Sequence, residues 1–229
     1  MRLRICSGLS VVALGLMFVA QASEARADVV FSNFGPNQTY VGNSWWDVGG
    51  VPGTTAQVDA FSFSPTATAT LTGADLALAI TAGSVSPLTV YIESNSGGTP
   101  GTILDTLTES GSIPVYPTTG VVNFACSGSC TTLDAGSTYW IVAQQTVATN
   151  DAGWMFSFGD AGTWYFNAAD SSTGPWTVAT KADNFSAFDV TGTPSPVPEP
   201  ASLALLGSGL LGIFALMRRK ALRGSAALS

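Results

Sequence analysis

Few residue types in this chain could do covalent chemistry. Histidine is absent from all 229 residues. That removes Ser-His-Asp and Cys-His catalysis, histidine-ligated zinc and the commonest general base near neutral pH. Three cysteines occur, Cys6, Cys126 and Cys130. In Cys126-Ser127-Gly128-Ser129-Cys130 a tight loop with Gly128 at its apex brings the two Cα atoms within bridging range, and an oxidising compartment favours a disulfide. Free thiols are the alternative. Metal or redox chemistry is the weakest reading, because two thiols lack further ligands and the spacing is not Cys-x-x-Cys. The carboxylates are scattered. A glycosidase pair depends on separation in space, which spacing along the chain does not display, and no Asp-x-Asp-x-Asp loop for calcium is present. Neither metal nor cofactor is therefore expected, and the chain reads as a non-enzyme.

Aromatic residues are the other candidates. Trp45, Trp46 and Trp176 lie in Gly- and Asn-rich contexts that read as loops, where flat rings could stack on sugar faces. Packing is the competing role, and for Trp140, Trp154 and Trp164 a core position is expected.

Charge narrows the partners. Between Asp28 and Val197 there are thirteen Asp or Glu residues against Lys181 alone, a net charge of −12. Such a surface repels phosphate backbones, so nucleic acid is excluded as a partner.

The two ends carry the basic residues. Residues 1–27 read as a signal peptide, with Arg2 and Arg4 before an uncharged apolar run from Leu9 to Ala20, and Ala25-Arg26-Ala27 before the expected mature start at Asp28. Residues 193–200 form a proline-rich linker expected to stop any strand or helix. Residues 201–217 are free of charge and are predicted to form a transmembrane helix of roughly 25 Å. The basic tail 218–229 opens with Arg218-Arg219-Lys220, a stop that stays cytoplasmic and places the middle of the chain outside.

In the order Val197-Pro198-Glu199-Pro200-Ala201-Ser202, glycine-containing apolar helix, Arg-Arg-Lys, the C-terminus resembles the PEP-CTERM sorting signal. The resemblance implies recognition of Pro198, Glu199 and Pro200 by an exosortase, removal of the helix, and association with exopolysaccharide or biofilm matrix. Matrix polysaccharide is then a candidate partner for the tryptophans.

Residues 28–192 must supply the body that this signal delivers. Leu76, Leu78 and Ile80 alternate with small or polar residues, and Leu88, Val90 and Ile92 share a face opposite Thr89, Tyr91 and Glu93. Tyr139 to Ala143 reads as a central strand. Trp154, Phe156 and Phe158 alternate, as do Trp164 with Phe166 and Phe188 with Val190. Gly-, Pro- and Asp-rich turns separate these runs, which predicts an all-β domain, an antiparallel jelly-roll-like sandwich of about ten strands. The strand Leu88 to Ser94, the Gly98-Thr99-Pro100-Gly101 turn, the strand Ile103 to Leu107 and the later Leu133-Asp134-Ala135-Gly136 before Tyr139 are similar to the choice-anchor type of bacterial surface domain. That family implies anchoring, with no catalytic residues to transfer.

Overall fold

In the computed structural model, residues 27–49, 57–84, 88–145, 150–158, 164–166, 172–179, 185–195 and 208–211 are described. The chain divides into two compact units between Pro194 and Ser195. The first unit contains strands β1 (Asp28–Ser32), β2 (Val41–Gly49), β3 (Asp59–Phe63), β4 (Ala69–Ala82), β5 (Leu88–Ser96), β6 (Thr99–Ser110) and β7 (Gly120–Cys126). They are followed by β8 (Thr132–Leu133), β9 (Tyr139–Gln145), β10 (Asp151–Phe156), β11 (Trp164–Phe166), β12 (Thr177–Ala179) and β13 (Phe188–Pro194). A single 3-10 turn, Pro36–Gln38, follows β1.

The all-β class holds, but the described strands form one sheet in place of two separate ones. β4 organises it. Its first half pairs with β13 and its second half with β10, while β7 and β8 take the opposite edge. From β7 the sheet runs through β6, β5, β9 and β3 to β11 and β12. On the other side, β10 pairs with β2. Gly49 at the end of β2 then exchanges two backbone hydrogen bonds with Gln57, at 2.7 and 2.9 Å, just ahead of β3. These two bonds bring the sheet nearly to closure. Closure hides strand edges that would otherwise invite aggregation.

The expected period-two runs explain what fills the interior. Leu76, Leu78, Ile80, Leu88, Val90, Ile92, Phe188 and Val190 all belong to one buried cluster. Val90 and Ile92 reach it because alternate side chains on a strand share a face. A bulge opposite Thr191 and Gly192 re-phases β4, so that Ala69 and Leu71 face inward together with Ala74 and Leu76. Phe61 on β3 meets Trp154 on β10 and Phe188 on β13, with ring centroids 4.9 and 6.5 Å apart. β3 has no ladder with either strand. These ring contacts therefore join two layers of the folded-over sheet.

Two local expectations are corrected. Phe158 lies beyond β10 and is 65% exposed, so the alternation that includes Trp154 and Phe156 ends with the strand. β13 continues through Thr193 to Pro194, two residues into the expected linker. Proline is accommodated there because β1 pairs no further than Gly192, leaving the Pro194 edge without a ladder that needs its missing N–H. Trp164 lies on β11, with its side chain outside the description.

In the second unit, residues 208–211 are helical. Among the described residues no helix is long and apolar enough to cross a membrane. Residues 1–26 of the expected signal peptide 1–27, the Pro198, Glu199 and Pro200 triad, most of 201–217 and the Arg218, Arg219 and Lys220 stop lie outside the described residues.

Candidate functional site

The cysteine pair closes a local loop. Cys126 ends β7, Gly128 turns with φ +88°, and Cys130 returns so that the two sulfurs are bonded at 1.99 Å with Cα atoms 6.3 Å apart. Asp105 stands beside the bridge, its Oδ1 3.7 Å from Cys126 Sγ and its Oδ2 accepting the Thr131 N–H at 2.9 Å. These three side chains come near enough to share a metal, but bonded sulfurs offer no thiolate to one. Asp105 instead pins the strand that leaves the loop. A loop this short restricts the unfolded chain little, so Cys126→Ser with Cys130→Ser is expected to cost at most about 2 kcal/mol. Melting the oxidised and doubly substituted chains side by side checks it; loss of the folded state would assign the bridge a larger role.

The three tryptophans singled out as sugar platforms do not converge. Trp45 and Trp46 lie within β2 and not in a loop, because β2 pairs with β10 continuously from Trp45 to Gly49. The neighbouring glycines, which read as loop signals, serve the ladder: Gly49 turns with φ +108° where the sheet closes. Trp46 points inward, its ring 5.4 Å from Phe156. Trp45 points outward onto Ala77, Ala79, Met155 and Ala187. A Cβ on Gly153 would stand 2.7 Å from the Trp45 ring, so only glycine lets the indole lie against the sheet. Its Nε1 donates to Asp47 Oδ1 at 2.8 Å, and its ring is 4.9 Å from that of Tyr116, which is 41% exposed. Trp176 is half-buried against a different patch, built from Val58, Ala60, Trp140 and Val142. Trp140 is buried as expected, but on this smaller cluster, where its Nε1 donates to Asn95 Oδ1 at 3.0 Å. Trp154 is in the main core, donating to the Ala187 carbonyl.

Buried carboxylates are what the sequence reading missed. Glu93 sits on the outer phase of β5 yet is fully buried, opposite Trp140 on β9, with both carboxylate oxygens unpartnered among the described residues. Burial pushes its carboxyl up to about 7. At the closing seam Asp59 is fully buried and its carboxyl is raised well above the usual value, chiefly by desolvation. A Gln57 hydrogen bond opposes that rise, while the charges of Asp47 and Asp151 add to it. Asp151 rises to about 6 through burial and the Asp47 charge. Period two placed Glu93 on the outer face, but no pattern along one strand says that a second element covers that face.

The feature of this chain that speaks most directly to function is its linear C-terminal signal. Residues 196–220 match the PEP-CTERM protein-sorting motif. The chain thus carries the signal of exported proteins that an exosortase sorts to the cell surface. No curated protein and no solved structure matches the chain.

Proposed function

We propose that this protein is a non-enzymatic component of the bacterial cell surface or extracellular matrix, held by residues 201–217 until an exosortase acts at Pro198, Glu199 and Pro200. The observation that carries the reading is the sorting motif over residues 196–220. The absence of histidine and the net charge of −12 in the middle of the chain fit a structural or interaction role better than catalysis or nucleic-acid binding. A span ending in Arg218, Arg219 and Lys220 orients the β-domain outward, and the choice-anchor resemblance of that domain agrees with surface display. Intact mass of the native protein from membrane and extracellular fractions tests the proposal. An extracellular species beginning at Asp28 and ending near Pro198 to Pro200 is expected, with Glu199→Ala held full-length in the membrane. Wild-type protein that keeps residues 201–229 in every fraction would replace sorting with permanent anchorage.

A second reading, recognition of matrix polysaccharide by the β-domain, is favoured by one feature. Trp45 and Tyr116 present adjoining rings on the outer face. Trp46 is directed into the core and is not part of it. Binding to a glycan array that falls at least tenfold in Trp45→Ala is the expected result if this reading holds, and no binding to any glycan removes it.

A further inference from the structure

Three neighbouring strands place a row of oxygen-bearing side chains side by side. Asp189 on β13 lies directly opposite Asp75 on β4, and Asp75 lies directly opposite Asn123 on β7. Like charges facing each other across a sheet are destabilising. Here they are tied by one amide, since Gln38 Nε2 donates to Asp189 Oδ2 at 3.0 Å and to Asp75 Oδ2 at 3.4 Å. On the other side Asn123 Nδ2 donates to Asp75 Oδ1 at 2.9 Å. Asn33 clamps the segment that carries Gln38. Its Nδ2 donates to the Ser186 carbonyl and its Oδ1 accepts the Phe188 N–H, each at 2.7 Å.

Two further observations point to a missing positive charge. Asp189 is only 3% exposed, and its Oδ1 is buried without a partner among the described residues. Between Asp28 and Val197 the sequence sets Lys181 alone against thirteen carboxylates, so basic side chains to balance such pairs are scarce. A buried carboxylate with one oxygen unpartnered, on a residue directly across the ladder from a second carboxylate, calls for a cation. Gln38 and Asn123 now donate their amide N–H groups here; a half-turn of each amide would offer an oxygen instead, which with the two carboxylates makes four oxygen-bearing side chains, the donor type of a hard divalent ion.

We propose that Asp75, Asp189, Gln38 and Asn123 form a calcium-class divalent cation site that locks the Asn33–Gln38 segment onto β13 and β4. The ion replaces the Gln38 N–H as the group shared by the two carboxylates. It stabilises the fold by binding the native state only.

Thermal melting of the purified full-length chain, in EDTA and then in calcium chloride from 0.1 to about 10 mM at constant ionic strength, tests this. Calcium is expected to raise the wild-type Tm by about 5–10 °C at saturation. Asp189→Asn and, separately, Asp75→Asn are expected to abolish the rise while melting in EDTA at or above the wild-type temperature, because each removes the repulsion. Asp75 is only partly buried, so its variant reads the site even where the Asp189 change impairs folding. A wild-type chain indifferent to calcium overturns the proposal. So does a rise retained in full by both variants, which would assign the ion to another cluster such as Asp47, Asp59 and Asp151.

Discussion

Phe188→Ala is expected to destabilise the domain by about 3–5 kcal/mol, among the largest losses any single substitution here would produce. Phe188 is fully buried at the start of β13. Its ring lies 5.1 Å from Phe31, 5.8 Å from Trp154, 6.1 Å from Phe63, 6.1 Å from Phe185 and 6.5 Å from Phe61. Truncation removes transfer energy, leaves a cavity, and severs the ring contacts joining β13 to β3. Those contacts hold two layers that no ladder links directly. Phe188→Leu keeps most of the volume and is expected to cost less than half as much. Val178→Ala, at a site 48% exposed, is expected to stay within about 0.5 kcal/mol. Urea denaturation measures all three through the midpoint at unchanged slope. A loss below about 1 kcal/mol for Phe188→Ala would mean that the layers do not meet at this ring.

The second large effect is a fall in stability as pH rises from about 4.5 to 7.5. Burial raises the carboxyls of Glu93, Asp59 and Asp151. Each therefore keeps its proton in the folded chain at pH values where the unfolded chain has lost it. Folding takes up protons in that window, so their contribution is full below the unfolded values near 4 and fades as pH climbs through 6 and 7. Glu93, moved from 4.5 to about 7, accounts for on the order of 2–3 kcal/mol. Thermal melts across this range are expected to show Tm dropping by at least about 5 °C. Glu93→Gln keeps the shape without the charge. It is expected to melt above wild type at pH 7.5 and to flatten part of the slope. A Tm that is constant or rises over the same range would contradict the burial of these groups. The seam is where the change should begin. Ionised Asp59 and Asp151 repel each other and Asp47 beside the Gly49–Gln57 pair of hydrogen bonds.

How far each feature could be read in advance depends on the length of chain that encodes it. Strand phase is local. Leu76, Leu78 and Ile80, or Leu88, Val90 and Ile92, reveal their inward face within five residues, because successive side chains alternate. Trp45 and Trp46 misled because Gly and Asn nearby are turn formers by propensity, whereas here tertiary pairing with β10 overrides it. Glu93 shows the same limit in reverse. Its phase was legible, but its burial depends on other elements covering the outer face.

By itself the sequence determined the all-β class, the acidic middle without histidine, and the sorting motif, which acts as a linear signal and needs no fold to be recognisable. Tertiary structure alone decided that a single sheet folds over and nearly closes at Gly49 and Gln57. It alone also set Asp75, Asn123 and Asp189 shoulder to shoulder on β4, β7 and β13. The physical reason is that register between strands far apart in sequence is chosen by the whole buried face, since a one-residue slip would turn every core side chain outward. No short window of residues contains that choice.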